Sequence, residues 1–404
     1  VNNLDALLQT DNGKKLREYL YKNKAVEKIV DFTTNQIFDN AATYTCLFFL
    51  SKKENEQFFY KRLELGSNYK ILNGLTFEER KEEELKKEQW SFSNNKSQDI
   101  LNKLEKMNNK FTDLTEKIFK GSSTGNDKVY LLDLIKESGS VVTLFSEQLN
   151  KNIELEKKLL VPFLYGEDVR RYCISQTKKY LLFPYIQING KARLIPLNEL
   201  KEKCPLTYSY LSKVKNVLSS RKIETNSDNF YKYSAGRSLD EYTKPKIMVP
   251  DMLIKIRIAY DSEGHYYHGP AIHSIIFNDK VRDLNILLFL GILNSKIFWF
   301  FIRKTSTALR GNTYRLTPEF LNPFSFPKID LENKEQKKTY DSIIFLVGQM
   351  LILQRKLNDL NLAGNEKERL EQQIKNVDYE IDQEVYKLYG LTKEEIKIVE
   401  DSLK

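Results

Sequence analysis

Short apolar runs separated by glycine and proline limit what residues 119–330 can form. Gly121, Gly125, Pro162, Gly166, Pro184, Gly190, Pro205, Gly236, Pro250, Gly264 and Gly269 interrupt this stretch. Proline lacks a backbone donor and glycine disfavours long regular elements, so only short strands and helices fit between them. The runs 130–134, 180–188, 246–249, 254–260 and 272–277 read as strands. Helical spacing is confined to 206–219 and 284–302. From 333 to 404 there is no proline, and that segment reads as helix. The expectation is a mixed α+β domain with many loops, followed by a helical C-terminus.

The first part of the chain has a different pattern. Residues 13–23 carry Leu16, Tyr19 and Leu20 at helical spacing, and 25–32 suits a strand. The run 43–50 is almost continuously apolar, as expected of a strand covered on both faces. This looks like a piece of an α/β sheet, so the chain reads as starting partway through a domain. The charge run 77–87 suggests a solvated helix or linker. Leu101, Leu104, Phe111 and Leu114 form a weak amphipathic stripe beyond it. The expected divisions are 1–75, a charged helical linker over 76–118, a domain over 119–330 and a helical segment over 331–404.

The net charge of +9 over 404 residues is unevenly placed. Residues 116–330 hold 33 Lys and Arg against 22 Asp and Glu, while 1–115 hold 19 against 18 and 331–404 hold 12 against 15. A basic domain between two near-neutral segments points to a polyanion, above all nucleic acid. A lysine-rich composition would explain many of these residues but not their concentration in one segment.

Several classes are disfavoured. Cys46, Cys173 and Cys204 are odd in number and far apart, so no disulfide framework or CxxC knuckle is available, and a reducing, cytoplasmic setting is expected. The most apolar stretch, 284–302, is broken by Asn285, Asn294, Ser295 and Lys296, and reads as a buried helix rather than a membrane span. No GxGxxG, Walker A or HExxH pattern occurs. The three histidines, His265, His268 and His273, share one short segment near Asp261 and Glu263, but a Tyr/His-rich hairpin is favoured over a metal site. Asn322, Pro323 and Phe324 approach an Asn-Pro-Pro-Phe loop but lack its second proline, and read as structural. No catalytic residue and no metal ligand is assigned.

Basic and aromatic residues interleave near glycine at Arg170, Arg171 and Tyr172, at Lys232 and Arg237, at Lys244, at Arg303 and Lys304, and at Arg310, Asn312 and Tyr314. Arginine can bind guanine through two bonds and asparagine can read adenine, while lysine and hydroxyl groups mainly hold phosphate. Residues 121–125, with Ser122 and Thr124, offer a possible phosphate cradle. Apart from Tyr172, these positions, twelve from Ser122 to Tyr314, are the candidate DNA contacts.

In order along the chain, residues 119–131, 160–172 (LVPFLYGEDVRRY), 180–185 (YLLFPY), 204–221, 233–252 (with GRS and KPKI), 287–298 (LLFLGILNSKIF) and 321–329 resemble the TaqI-like C-terminal specificity domain. That domain is the target-recognition part of adenine-N6 DNA methyltransferases and type IIG restriction–modification enzymes. Residues 13–50 resemble the last helix and strands of the methyltransferase domain, and 381–400 its usual helical ending.

The resemblance implies a double-stranded DNA partner, and a parent enzyme whose S-adenosylmethionine site, catalytic loop and any nuclease precede this stretch. The glycine motif for that cofactor and the Asn-Pro-Pro-Tyr loop are absent here. The chain alone is therefore expected to bind no cofactor, not to methylate, and to need a missing N-terminal partner portion. Three alternatives remain. One is a type I specificity-subunit-like DNA-binding protein, disfavoured by the lack of a repeat. Another is a non-catalytic interaction protein pairing through 333–404 as a coiled coil. The third is a complete enzyme with an unrecognised site over 265–273.

Overall fold

The structure is a computed structural model that describes residues 13–32, 37, 45–63, 74–86, 90, 92, 95–306, 308–309, 312–358 and 364–403. It is a mixed α+β chain with several small sheets and a helical C-terminus.

The first module has helix α1 (Lys14–Lys22) and strands β1 (Val26–Asp31), β2 (Cys46–Leu50), β3 (Gln57–Arg62) and β4 (Glu78–Lys81), in the sheet order β2-β1-β3-β4. β1 and β3 run parallel, and the other pairs are antiparallel. Three details differ from expectation. Among the described residues the strand within 43–50 is an edge strand, covered only at its start, with Phe49 and Leu50 exposed. Residues 43 and 44 lie outside the described set. On α1 the buried residues are Arg17 and Leu20, while Leu16 and Tyr19 face outward. The charge run 77–87 is not a solvated helix over its described part. It forms β4 and a 3-10 turn, because Arg80 is buried between Glu78 and Glu84 at 2.8 and 2.9 Å.

Helix α2 (Asn95–Glu105) then buries Ile100, Leu101 and Leu104 in the largest core, where Phe111 and Leu114 also sit. The weak stripe is thus a packed face.

Strand β5 (Thr115–Lys120) leads into β6 (Leu131–Ser138), β7 (Val141–Ser146), β8 (Lys151–Glu156), β9 (Leu160–Leu164) and β10 (Lys179–Leu182). The run 180–188 splits at Pro184: β10 ends before it, and Tyr185–Ile188 forms a separate hairpin with Lys191–Leu194. Helix α3 (Pro205–Lys213) follows. The chain returns as β11 (Lys246–Pro250), β12 (Met252–Leu253), β13 (Ala259–Asp261), β14 (Tyr267–His268) and β15 (Ile272–Phe277). The expected strand over 254–260 is mostly loop, with only its end in β13.

Two sheets result. One has the order β14-β9-β10-β6-β7-β8, and the other β13-β11-β15-β5. Their main cores differ, and Leu164 of the first sheet packs with Met248, Ala259 and Ile272 of the second between them. The first packs α3 and a tyrosine cluster, Tyr130, Tyr210, Tyr231, Tyr233 and Tyr242. The second faces α4 (Ile286–Asn294) and α5 (Lys296–Thr305), which are bent by 57°. No single helix among the described residues is long and apolar enough to cross a membrane, and this bent pair is almost wholly buried. A small sheet joins β12 to the hairpin β16 (Ala308–Leu309) and β17 (Thr313–Arg315).

The C-terminus is three helices, α6 (Lys334–Leu357), α7 (Gly364–Leu388) and α8 (Lys393–Ser402). Ile343, Val347, Ile381 and Val385 bury fully in the same core as α4 and α5. This core therefore spans residues on both sides of position 330.

Candidate nucleic-acid interface

The candidate residues fall into three places. The first is a strap over 121–125. Gly121 is forced by close approach: a Cβ there would lie 1.9 Å from the His268 carbonyl oxygen. Ser123 exchanges two backbone bonds with Ala235, each 3.1 Å. The backbone N–H of Ser122 donates to Tyr242 Oη at 2.9 Å, and its hydroxyl to the Arg237 carbonyl at 2.7 Å. The Thr124 hydroxyl donates to Asp127 at 2.6 Å and accepts from Asn126 N–H. Ser122 and Thr124 are buried. This differs from the reading of 121–125 as a phosphate cradle. The N–H groups of Ser122, Ser123 and Asn126 and both hydroxyls already have partners within the chain. Arg237 itself is exposed, and Lys232 is half-exposed.

Lys244, near this strap, bonds Glu116 at 3.1 Å and Glu241 at 2.8 Å. Lys117 also reaches Glu241, at 3.0 Å. Burial opposes ionisation of Glu241, but Lys244 and Lys117 outweigh it and hold its carboxyl below the usual range. Lys244 is thus a compensated charge.

The second place is the turn after β9. Arg170 is exposed, and its Nε donates to Ser175 Oγ at 3.3 Å. Its neighbour Arg171 points the other way. That guanidinium bonds Asp378 on α7 at 2.5 Å and the Asn294 carbonyl at the end of α4 at 2.6 Å. Arg171 is a clamp on the C-terminal helices, and its donors toward those helices are engaged.

The third place is the hairpin β16–β17. Tyr314 is buried and packs edge-on against Trp299 at 5.5 Å. Arg303, in the last turn of α5, lies over the Tyr314 ring at 5.8 Å, and Lys304 over Phe300 at 5.8 Å. Asn312 is exposed at the hairpin tip with φ of +55°. Arg310 lies outside the described residues. β17 pairs with β12, so exposed Arg315 sits opposite Met252.

Arg257 was not among the candidates. It lies in the loop from β12 to β13 and donates to the carbonyls of Glu167 and Val169, both at 3.4 Å. The same loop exposes Ile254 and Lys255, and Met252 is exposed in the adjoining β12. The residues 254–258 alternate apolar and basic types, which imitates a half-buried strand. The signal was the excess of basic residues on the polar side of that alternation.

His268 and His273 are buried within the fold, whereas His265 is exposed. His268 is fully enclosed, and burial pushes its pKa down to about 3. Its Nδ1 faces the Gly269 carbonyl at 3.0 Å, and therefore carries the proton, while Nε2 meets the Ser274 hydroxyl at 2.7 Å. His273 Nε2 lies 3.0 Å from Asp251. Asp261 is held by Lys246 at 2.6 Å rather than facing a histidine ring. Among the described residues no three His, Cys, Asp or Glu side chains group as a metal site. Phe324 of the 322–324 triplet is buried against Phe298 and Phe301.

Residues 161–325 match the TaqI-like C-terminal specificity domain. The chain is 24% identical over 356 residues to the type II restriction enzyme and methyltransferase RM.Eco57I of Escherichia coli, covering 83% of this chain and 35% of that protein. It is 22% identical over 426 residues to the type II methyltransferase M.BstVI of Geobacillus stearothermophilus, covering 99% of this chain and 65% of that one. The chain thus spans less than two thirds of the length of either relative. Its fold is shared with the type IIL restriction–modification enzyme MmeI, solved in complex with DNA. The TM-score is 0.56 at 14% identity, over 99% of this chain and 48% of MmeI.

Proposed function

We propose, for a chain whose residues 161–325 are a TaqI-like C-terminal specificity domain, that it is the DNA-recognition module of a restriction–modification enzyme. The observation that carries this is the coincidence of that domain with the one segment holding the excess positive charge. In this reading the module contacts double-stranded DNA in a cytoplasmic setting. Base edges are read by exposed side chains such as Asn312, and phosphates are held by Arg170, Lys232, Arg237 and Arg303. Methyl transfer to adenine N6 belongs to a methyltransferase portion outside this chain, and S-adenosylmethionine binds there. The target adenine would leave the stack to reach that portion.

Selection of a randomised duplex library by the purified chain, at low and at higher salt, tests the reading. One enriched short asymmetric motif containing adenine is expected. Absence of binding at low salt rejects it.

One observation favours the interaction-protein reading. Phe345 and Ile352, a heptad apart on α6, are 64% and 58% exposed. A concentration-dependent dimer in sedimentation, without DNA binding, would select it.

A further inference from the structure

Arg257 folds back onto the turn that carries Arg170. Its two contacts with the carbonyls of Glu167 and Val169 are long, at 3.4 Å, and leave most of its five N–H donors open. Arg170 is the next residue of that turn. The turn is tied down beneath them: Asp168 accepts from Tyr165 N–H at 2.7 Å, and Tyr172 N–H donates to the Ile258 carbonyl at 2.9 Å. Arg170 and Arg257 therefore extend from two stretches of backbone that are braced against each other.

Several other basic groups of the candidate surface are compensated. Arg171 has Asp378, Lys120 has Asp251 and Lys244 has two glutamates. Among the described residues no ion pair joins Arg170 or Arg257 to a carboxylate; Glu167 acts on Arg257 only from a distance. Burial first, and then Arg170, pull Arg257 below the usual guanidinium range. An anion between the two groups would offset their mutual repulsion. The planar fork of arginine suits phosphate oxygens.

The flank is apolar. Met252 of β12 is 50% exposed, and Ile254 is 62% exposed in the loop that also carries Lys255 and Arg257. A nucleic-acid backbone presents anionic phosphates beside apolar deoxyribose faces, which matches this order of side chains.

We infer that Arg170 and Arg257 together hold a single backbone phosphate of duplex DNA, with Ile254 packed on the adjoining sugar. The inference rests on the DNA-binding reading above and names a contact within it.

The test measures binding of the full chain to a random-sequence fluorescent duplex across a salt series. The double variant Arg170→Gln/Arg257→Gln is expected to lower the slope of log affinity on log salt by about 0.9, the value for one phosphate. Arg170→Lys/Arg257→Lys should keep the slope. Ile254→Ser should weaken binding several-fold at every salt and leave the slope alone. A double-variant slope equal to wild type overturns the inference, and so does a fall of about 1.8, which would mean two separate phosphates. Either result leaves the DNA-binding reading standing, because wild type still binds. No binding by wild type at low salt would instead remove that reading. Should the double variant unfold on thermal scanning, Arg170→Gln alone carries the test, since Arg170 is exposed. A wild-type slope and affinity for that variant would overturn the inference.

Discussion

Lys246 and Asp261 form an ion pair of 2.6 Å that is closed to solvent on both sides. The ammonium also donates to the Tyr242 carbonyl at 2.7 Å, and the carboxylate accepts from the backbone N–H groups of His265 and Tyr266 at 3.0 and 2.9 Å. The pair therefore fastens the 261–266 turn to β11. Burial pulls the lysine pKa down, against the pull of Asp261. Removing one partner leaves the other charge buried and alone. Lys246→Met is expected to lower stability by about 3–5 kcal/mol. Denaturant unfolding measures this, and a loss below about 1 kcal/mol would contradict the assignment.

Arg170 and Arg171 are neighbours with separate duties. Arg171→Gln should loosen α4 and α7 from the recognition sheets, at about 1.5–3 kcal/mol for lost charge-assisted bonds. It should leave the salt slope of DNA binding unchanged. Arg170→Gln should leave stability within about 0.5 kcal/mol, as for most surface substitutions. Paired unfolding and binding titrations read both effects, and matching profiles for the two variants would refute the division.

Two helical glycines should respond in opposite directions. A Cβ on Gly291 of α4 would meet Val347 Cγ2 at 2.9 Å and Ile343 Cγ2 at 3.1 Å, so α4 and α6 touch because this side chain is absent. Gly291→Ala is expected to cost about 1–3 kcal/mol by overpacking. At Gly348 of α6 a Cβ meets nothing within 4 Å. Gly348→Ala should stabilise by roughly 0.8–1 kcal/mol through helix propensity. Urea midpoints of the two variants, moving to opposite sides of wild type, would confirm the contrast.

These contacts mark where sequence reading stops. The run 272–277 is legible from its bulky and β-branched residues, Ile272, Ile275, Ile276 and Phe277, and β15 occupies those six residues. The helical stretch 284–302 is legible as buried. Its bend is not, because it depends on Asn294 bonding the backbone of Ile258 and on Ser295 capping α5. The strand β4 was hidden inside a charge run, since its pairing with β3 and the burial of Arg80 depend on neighbours distant in sequence. At the candidate interface, composition located the basic domain but could not rank its side chains. Arg171 finds its partner 207 residues away, whereas Arg170 finds no carboxylate among the described residues. Arg257 was hidden by an apolar alternation that turns out to be a loop.

Two buried groups should oppose each other in acid. Burial and the charge of Asp378 raise the Asp382 pKa to about 6, despite Lys296 and Arg171. The folded state then binds the proton more tightly than the unfolded state, so this group lowers stability as pH rises from about 4 to about 6. His268 has the reverse sign. Burial holds it neutral to about 3, so its contribution is lost as pH falls below about 6.5. Between about 4 and 6 the two slopes act against each other. Asp382→Asn keeps an acceptor for the Lys296 N–H, now 2.8 Å from the carboxylate, and removes one slope. Its stability relative to wild type should rise with pH across that window. His268→Gln should show the opposite trend relative to wild type. Unfolding free energies at pH steps through the window give both differences, and parallel curves for all three proteins would show that neither group titrates as its burial requires.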